Sequence, residues 1–202
     1  MRPYLHTCEA LETISRRVIS QYDPRLLDAP APIPVDTIME QVYKLTIEFQ
    51  HIRKNGRILG ETVFEDAMIP IYDKRTGDGY KLVPMPAGTV IIDARLLNCR
   101  SDGRFRYTCA HELAHWVIDK KYFTQLKETA AMTKVARSSE TDAAVERQAN
   151  HMASCILMPK GALKMAYYHN RSQRDIVDYL AKVFNVSDEA MGYRLKELGL
   201  LS

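Results

Sequence analysis

The sequence predicts an α+β protein: a small, mostly antiparallel sheet packed on two long helices, with a helical hairpin towards the C-terminal end. Three observations predict it. Short alternating or apolar runs crowd residues 44–98, separated by Gly, Pro and Asp. Helical periodicity returns over residues 102–120 and 140–158, and again over 172–184 and 187–198. Apolar residues make up 46% of the 202 positions, enough for a sizeable core.

The elements follow in order. Residues 8–22 place Leu11, Ile14, Val18 and Ile19 at helical spacing, and Asp23-Pro24 ends that helix. Residues 28–34 (DAPAPIP) form a proline-rich linker. Residues 1–33 therefore make an N-terminal helix and linker, and 34–202 the main domain, including the C-terminal helices 172–198. Residues 35–43 read as a short helix. LTIEFQHI alternates with Leu45, Ile47 and Phe49 on one face, Asn55-Gly56 marks a turn, and ILGETVF follows as a second strand. MIPIY, YKLVP and GTVIIDARLL supply three more short strands. The helix over 102–120 starts at Asp102 as N-cap. The one over 140–158 is stopped by Pro159-Lys160-Gly161. Ser172 and Ser187 cap the last two helices. Residues 119–139 have weak periodicity and read as a loop or a frayed helix.

Composition narrows the function classes. A net charge of +3 is too small to imply nucleic acid. MRPYLHTCEALE lacks the apolar core of a secretory signal, and no apolar run approaches the ~18 residues of a membrane span. The four cysteines (Cys8, Cys99, Cys109, Cys155) show no CxxC pairing and read as reduced, buried thiols. A cytoplasmic location without membrane association is expected.

His111-Glu112-Leu-Ala-His115 is the chemical motif. On a helix, positions four apart share a face, so both imidazoles can reach one point. A zinc ion held by two neutral histidines suits that spacing, and Glu112 is placed to move the proton of an attacking water to a leaving amine. Ala110, Leu113, Ala114, Val117 and Ile118 make the other side of the helix apolar. Catalytic zinc takes three protein ligands. No histidine stands six residues after His115, so the third ligand is sought on the following long helix, among Glu140, Asp142 and Glu146. Glu146 is favoured. Ala149 and Ala153 let the two helices approach, and Asn150, four residues on, can accept a hydrogen bond from the outer nitrogen of a ligand histidine. His151 is a rival set off by ~100° on the helix. Tyr107, Tyr122, Tyr167, Tyr168, His151 and His169 are candidate oxyanion stabilisers.

RFRYTCAHELAHWVID, VERQANHMASCILMP and VSDEAMGYRLKELGL, in that order, resemble the ImmA/IrrE family of metallo-endopeptidases, with a match covering most of residues 34–200. The resemblance implies a zincin-like fold in which His111, His115 and Glu146 bind Zn2+ and Glu112 is the catalytic acid/base. It implies a protein substrate, a helix-turn-helix repressor or antitoxin whose cleavage relieves repression after stress. Met152 and Cys155 depart from the family pattern as packing changes. In zincins an edge strand beside the motif helix pairs with extended substrate, a role open to GTVIIDARLL or ILGETVF.

Two other readings compete. A zinc site that does not turn over would make the protein a regulator that sequesters its partner. Residues 172–198 read helix, turn, helix, as in DNA-binding proteins. Over Arg171–Glu197, however, five basic residues face five acidic ones, a poor match to phosphate, and a hairpin burying Ile176, Val177, Leu180, Leu195 and Leu198 is preferred. Arg95, Arg100, Arg104 and Arg106 form a basic cluster that reads as a solvated turn.

Overall fold

In the computed structural model, residues 4–75, 77, 79–98, 102–124 and 139–201 are described. Helix α1 (Cys8–Ser20) starts at Thr7, whose hydroxyl accepts from the Ala10 N–H, and buries Leu11, Val18 and Ile19. A 3-10 turn over Pro24–Leu27 leads to α2 (Val35–Gln41), which buries Val35, Ile38 and Met39. Ile33, from the proline-rich stretch, is also fully buried. Apolar residues at helical spacing thus seal α1 and α2 onto the same core as the later helices.

The middle region forms two sheets. Strands β1 (Thr46–Gln50), β5 (Thr89–Asp93) and β2 (Gly60–Thr62) pair in the order β1-β5-β2. β1 runs parallel to β5, and β2 antiparallel to it. Strands β3 (Ala67–Asp73) and β4 (Gly79–Met85) form a separate antiparallel hairpin over a small cluster around Ile52, Ile71 and Ile91. Two of the three ladders are antiparallel, as expected, but one continuous sheet does not form. All five residues of β5 are buried, as in a strand covered on both faces. The Asn55-Gly56 turn is present, with Gly56 at φ 62°, a left-handed conformation that glycine adopts without strain.

Helix α3 (Asp102–Ala114) continues through a π-helical turn, His115–Asp119, and on to residue 124. Helix α4 (Ser139–Leu157) lies against it, and Ala110, Ala114, Ala149 and Ala153 are all fully buried in one cluster. Small side chains at these four positions let the two backbones come close.

Several expectations are corrected here. Pro159-Lys160-Gly161 does stop the preceding helix, at Leu157, but a helix absent from the sequence reading, α5 (Lys160–Asn170), follows at once with Pro159 as its N-cap residue, since proline breaks one helix yet fits the start of the next. Helix α6 (Ile176–Phe184) is capped by Asp175, which accepts from the Asp178 N–H, and not by Ser172. Ser187 does cap α7 (Asp188–Glu197) through the Ala190 N–H. Cys109 and Cys155 are buried free thiols whose pKa burial pushes up, to about 12 for Cys155, but Cys8 is exposed at the start of α1. Cys99 and Arg100, and the loop reading for residues 125–138, fall outside the described residues.

Leu180, Phe184, Met191 and Leu195 carry α6 and α7 into the main core, with Ile176, Val177 and Leu198 packed at its margin. Arg194 on α7 is fully buried. It pairs with Glu12 of α1 (2.6 Å) and Glu197 (3.2 Å) and donates to the Met158 carbonyl. A buried guanidinium without those carboxylates would be strongly destabilising, so the contact fastens the first helix to the last. Among the described residues, no helix is long and apolar enough to cross a membrane.

Candidate metal centre

His111 and His115 project from the end of α3 and the π-helical turn, and Glu146 reaches them from α4. His111 Nε2 and His115 Nε2 stand 3.0 Å apart. Glu146 Oε2 lies 3.3 Å from the first and Oε1 3.5 Å from the second. Donor atoms of a tetrahedral zinc site with bonds of ~2.0–2.1 Å lie about 3.3 Å from one another. The three side chains therefore fit a single zinc ion in both donor type and spacing, and together they could hold a metal. The side chains of Glu140 and Asp142, the rival carboxylates, are outside the described residues.

The outer nitrogens support that fit. His111 Nδ1 lies 3.0 Å from Asn150 Oδ1, which also accepts from the Tyr107 hydroxyl at 3.0 Å. His115 Nδ1 lies 2.9 Å from Asp119 Oδ2, and Gln148 donates to Asp119 Oδ1 at 2.7 Å. Facing acceptors, each Nδ1 is the nitrogen that keeps its proton when the ring is neutral, so that a metal-binding imidazole offers its Nε2 lone pair to the shared point. Gln148 Oε1 in turn accepts from the His6 N–H at 3.3 Å, so a chain of hydrogen bonds joins the N-terminal segment to His115.

Electrostatics follow from burial. Burial pulls the His115 pKa down, but Asp119 and Glu146 outweigh it and raise the group to about 9. Contacts with His111 and His115 hold Glu146 well below the usual carboxylate range. Glu112, only 5% exposed, is pushed up by desolvation, against the pull of His111 and a hydrogen bond from Thr62.

That hydrogen bond comes from β2. Thr62 Oγ1 donates to Glu112 Oε2 at 2.7 Å. A Cβ on Gly60, two residues earlier on the same face, would collide with the Glu112 carboxylate, which rests where glycine leaves room. The Asp93 N–H donates to the Leu59 carbonyl and the Val63 N–H to the Thr89 carbonyl. The alternation of an antiparallel ladder then turns the main-chain groups of Gly60 and Thr62 away from β5. β5 is paired on both sides and cannot receive another strand, which removes GTVIIDARLL as the edge; β2, in ILGETVF, is the edge beside the motif helix.

These residues line a cleft of about 670 Å³, walled on one side by Phe64 and Phe123. Phe64 stacks on both Trp116 and Phe123. Of the tyrosines and histidines considered for oxyanion stabilisation, Tyr107 lines the cleft. Tyr122 is buried, Tyr167 and Tyr168 pack edge to face, His151 faces Glu197, and His169 is bonded to the Met165 carbonyl. The arginine cluster is dispersed. Arg95 donates to the Arg53 and Lys54 carbonyls, Arg106 donates to the Asn185 carbonyl, and Arg104 is exposed.

Asp119, Gln148, Gly60 and Thr62 are site residues that sequence reasoning missed. Asp119 carried a signal, standing four residues after His115; the other three meet the site across the fold.

Comparison with known proteins bears on the fold and the family. No curated protein sequence matches the chain. A solved structure described as a Mycobacterium tuberculosis transcriptional regulator shares the fold at a TM-score of 0.56 and 14% identity, over 92% of this chain and 55% of the other. The chain thus spans about half the length of that regulator. The Peptidase_M78 profile, described as the IrrE N-terminal-like domain, matches residues 78–196. That span includes the HExxH helix, α4 and the C-terminal helices, and the chain belongs to this family, the one its motifs resemble.

Proposed function

We propose that the protein is a cytoplasmic zinc-dependent endopeptidase that cleaves a regulatory protein, a helix-turn-helix repressor or antitoxin. The observation that carries this reading is the convergence of His111, His115 and Glu146 beside a buried Glu112, under an open strand edge. His111, His115 and Glu146 would hold the ion. When bound, zinc supplies Lewis acidity that polarises a scissile carbonyl and activates water at neutral pH.

The chain's own groups do the rest. Glu112 takes the proton of the attacking water at a carboxylate oxygen and delivers it to the leaving amine nitrogen. Thr62 and Gly60 hold that carboxylate in place, and its raised pKa suits a group that must both accept and return a proton. The outward main-chain groups of Gly60 and Thr62 pair with an extended substrate, giving affinity with little sequence choice. Residues 34–202 form the working domain, and 1–33 brace it through the His6–Gln148 and Glu12–Arg194 contacts.

The test is co-incubation of the zinc-loaded protein with the repressor or antitoxin encoded beside it, read by mass spectrometry, with Glu112→Gln in parallel. Cleavage by wild type alone is expected. A regulator captured intact by both proteins would replace hydrolysis with sequestration. Equal cleavage by both would remove Glu112 from the mechanism.

A further inference from the structure

Helix α4 meets His115 at both ring nitrogens. Glu146 faces Nε2 at 3.5 Å. Gln148 stands two residues on, ~200° around the helix, and is buried, 6% exposed. It acts at the other nitrogen, through Asp119, whose Oδ2 lies 2.9 Å from His115 Nδ1. Both ends of the Gln148 amide are engaged. Nε2 donates to Asp119 Oδ1 at 2.7 Å, and Oε1 accepts from the His6 main-chain N–H at 3.3 Å, from 142 positions away in the chain.

Those two partners fix the amide's direction. A main-chain N–H can only donate, and a carboxylate can only accept. Turned over, the amide would set donor against donor at His6 and oxygen against oxygen at Asp119, and unpaired buried groups are costly. On the His111 side the corresponding partner is the Tyr107 hydroxyl at Asn150, which can donate or accept and imposes no direction.

The fold delivers the donor. His6 stands one residue before Thr7, which caps α1, and α1 buries Leu11, Val18 and Ile19. Glu12 of the same helix pairs with the buried Arg194. The His6 ring packs edge to face with Tyr4, at 4.6 Å between centroids, and forms none of the bonds in this chain.

We propose that the segment before α1 sets the metal centre through its main chain. The His6 N–H orients Gln148, and Gln148 is the positioning residue that holds Asp119 on the outer nitrogen of His115. The inference rests on the reading of His111, His115 and Glu146 as zinc ligands. It gives residues 4–7 a part in metal binding although none of them touches the site.

The test uses the full chain and zinc alone. Zinc affinity is measured by chelator competition, and the Nδ1–H protons of both ligand histidines are followed by NMR in the zinc-loaded protein. Gln148→Met keeps the length of the side chain and removes the amide. It should weaken zinc binding roughly fivefold, as one net hydrogen bond allows. It should also shift the His115 Nδ1–H signal and speed its exchange with water, leaving that of His111 in place. His6→Pro, which deletes the main-chain donor, should act in the same direction. His6→Ala keeps the donor and should stay within about twofold of wild type on the same scale. Should His6→Pro fail to fold, deletion of residues 2–6 removes the same donor and leaves Thr7 to cap α1.

Wild-type affinity and an unmoved His115 signal in Gln148→Met would overturn the proposal. So would His111 and His115 signals that move together, which would mean general loosening, or equal effects of His6→Ala and His6→Pro. Wild type that binds no zinc would overturn both this inference and the reading beneath it. The expected zinc and NMR pattern in a protein that cleaves nothing would uphold the positioning role and remove the peptidase reading alone.

Discussion

His111 and His115 stand one helical turn apart, yet the protein holds them differently. His111 lies at the mouth of the cleft against a neutral amide, Asn150, which also serves Tyr107. His115 is buried against a carboxylate, Asp119, whose own side chain is 1% exposed and is fastened by Gln148. One imidazole therefore belongs to the core and the other to the solvent-facing mouth of the cleft. On the exposed side, His111 is steadied by Asn150, which Tyr107 also contacts, and both of these line an adjoining cavity.

The largest expected effect separates the two by deletion. Both His111→Ala and His115→Ala should lose zinc, measured as metal content after dialysis. His115→Ala should also destabilise the metal-free protein by ~3 kcal/mol, because it leaves a buried carboxylate without its cation; His111→Ala should leave the metal-free melting temperature nearly unchanged. Equal melting temperatures for the two variants would break the comparison.

The pH dependence comes next. His115 is raised from 6.5 to about 9 in the folded protein. A raised pKa means that its stabilisation is complete below the unfolded value and disappears as pH climbs through the folded one. Metal-free stability should therefore fall by ~3 kcal/mol between pH 6.5 and 9, a difference set by those two pKa values. Zinc affinity should climb over the same window as the competing proton leaves. Denaturant melts across that range test this, and flat stability would contradict the buried ion pair.

The supporting groups should rank in the same way. Loss of such outer contacts costs about 10- to 100-fold in metal affinity, and Asp119→Asn should lie near the upper figure and Asn150→Ala near the lower. Chelator competition reads both, and the reverse order would put the anchor on the exposed side. The smallest effect on metal is expected from β2. Gly60→Ala and Thr62→Val should leave zinc affinity within about twofold while slowing cleavage by tenfold or more, since misplacing a proton-transfer group costs roughly 10²–10⁴ at the limit.

Local spacing carried much of this into the sequence. His111, His115, Asn150 and Glu146 sit at helical intervals, so their shared faces were legible before any fold was known. Asp119 stands at the same interval, but its importance depends on burial beside Gln148, which no spacing reveals. Gly60 and Thr62 meet Glu112 across some fifty residues of chain, and β1 joins β5 in parallel across the whole hairpin. Such non-local pairings leave no periodic trace. Helix α5 was hidden because Pro159-Lys160-Gly161 reads as a stop, although proline is also compatible with a helix start. The proline-rich stretch likewise gave no sign that Ile33 would be fully buried.

One zinc ion held by two imidazoles and a carboxylate is the expected state of the loaded protein. X-ray absorption at the zinc edge, on protein loaded with one equivalent of metal, tests it most directly. Expected is a four-coordinate shell of nitrogen and oxygen at ~2.0–2.1 Å with the multiple-scattering signature of two imidazoles, and loss of the bound-zinc spectrum in His111→Ala. A sulfur shell near ~2.3 Å, or a spectrum unchanged by that substitution, would contradict it.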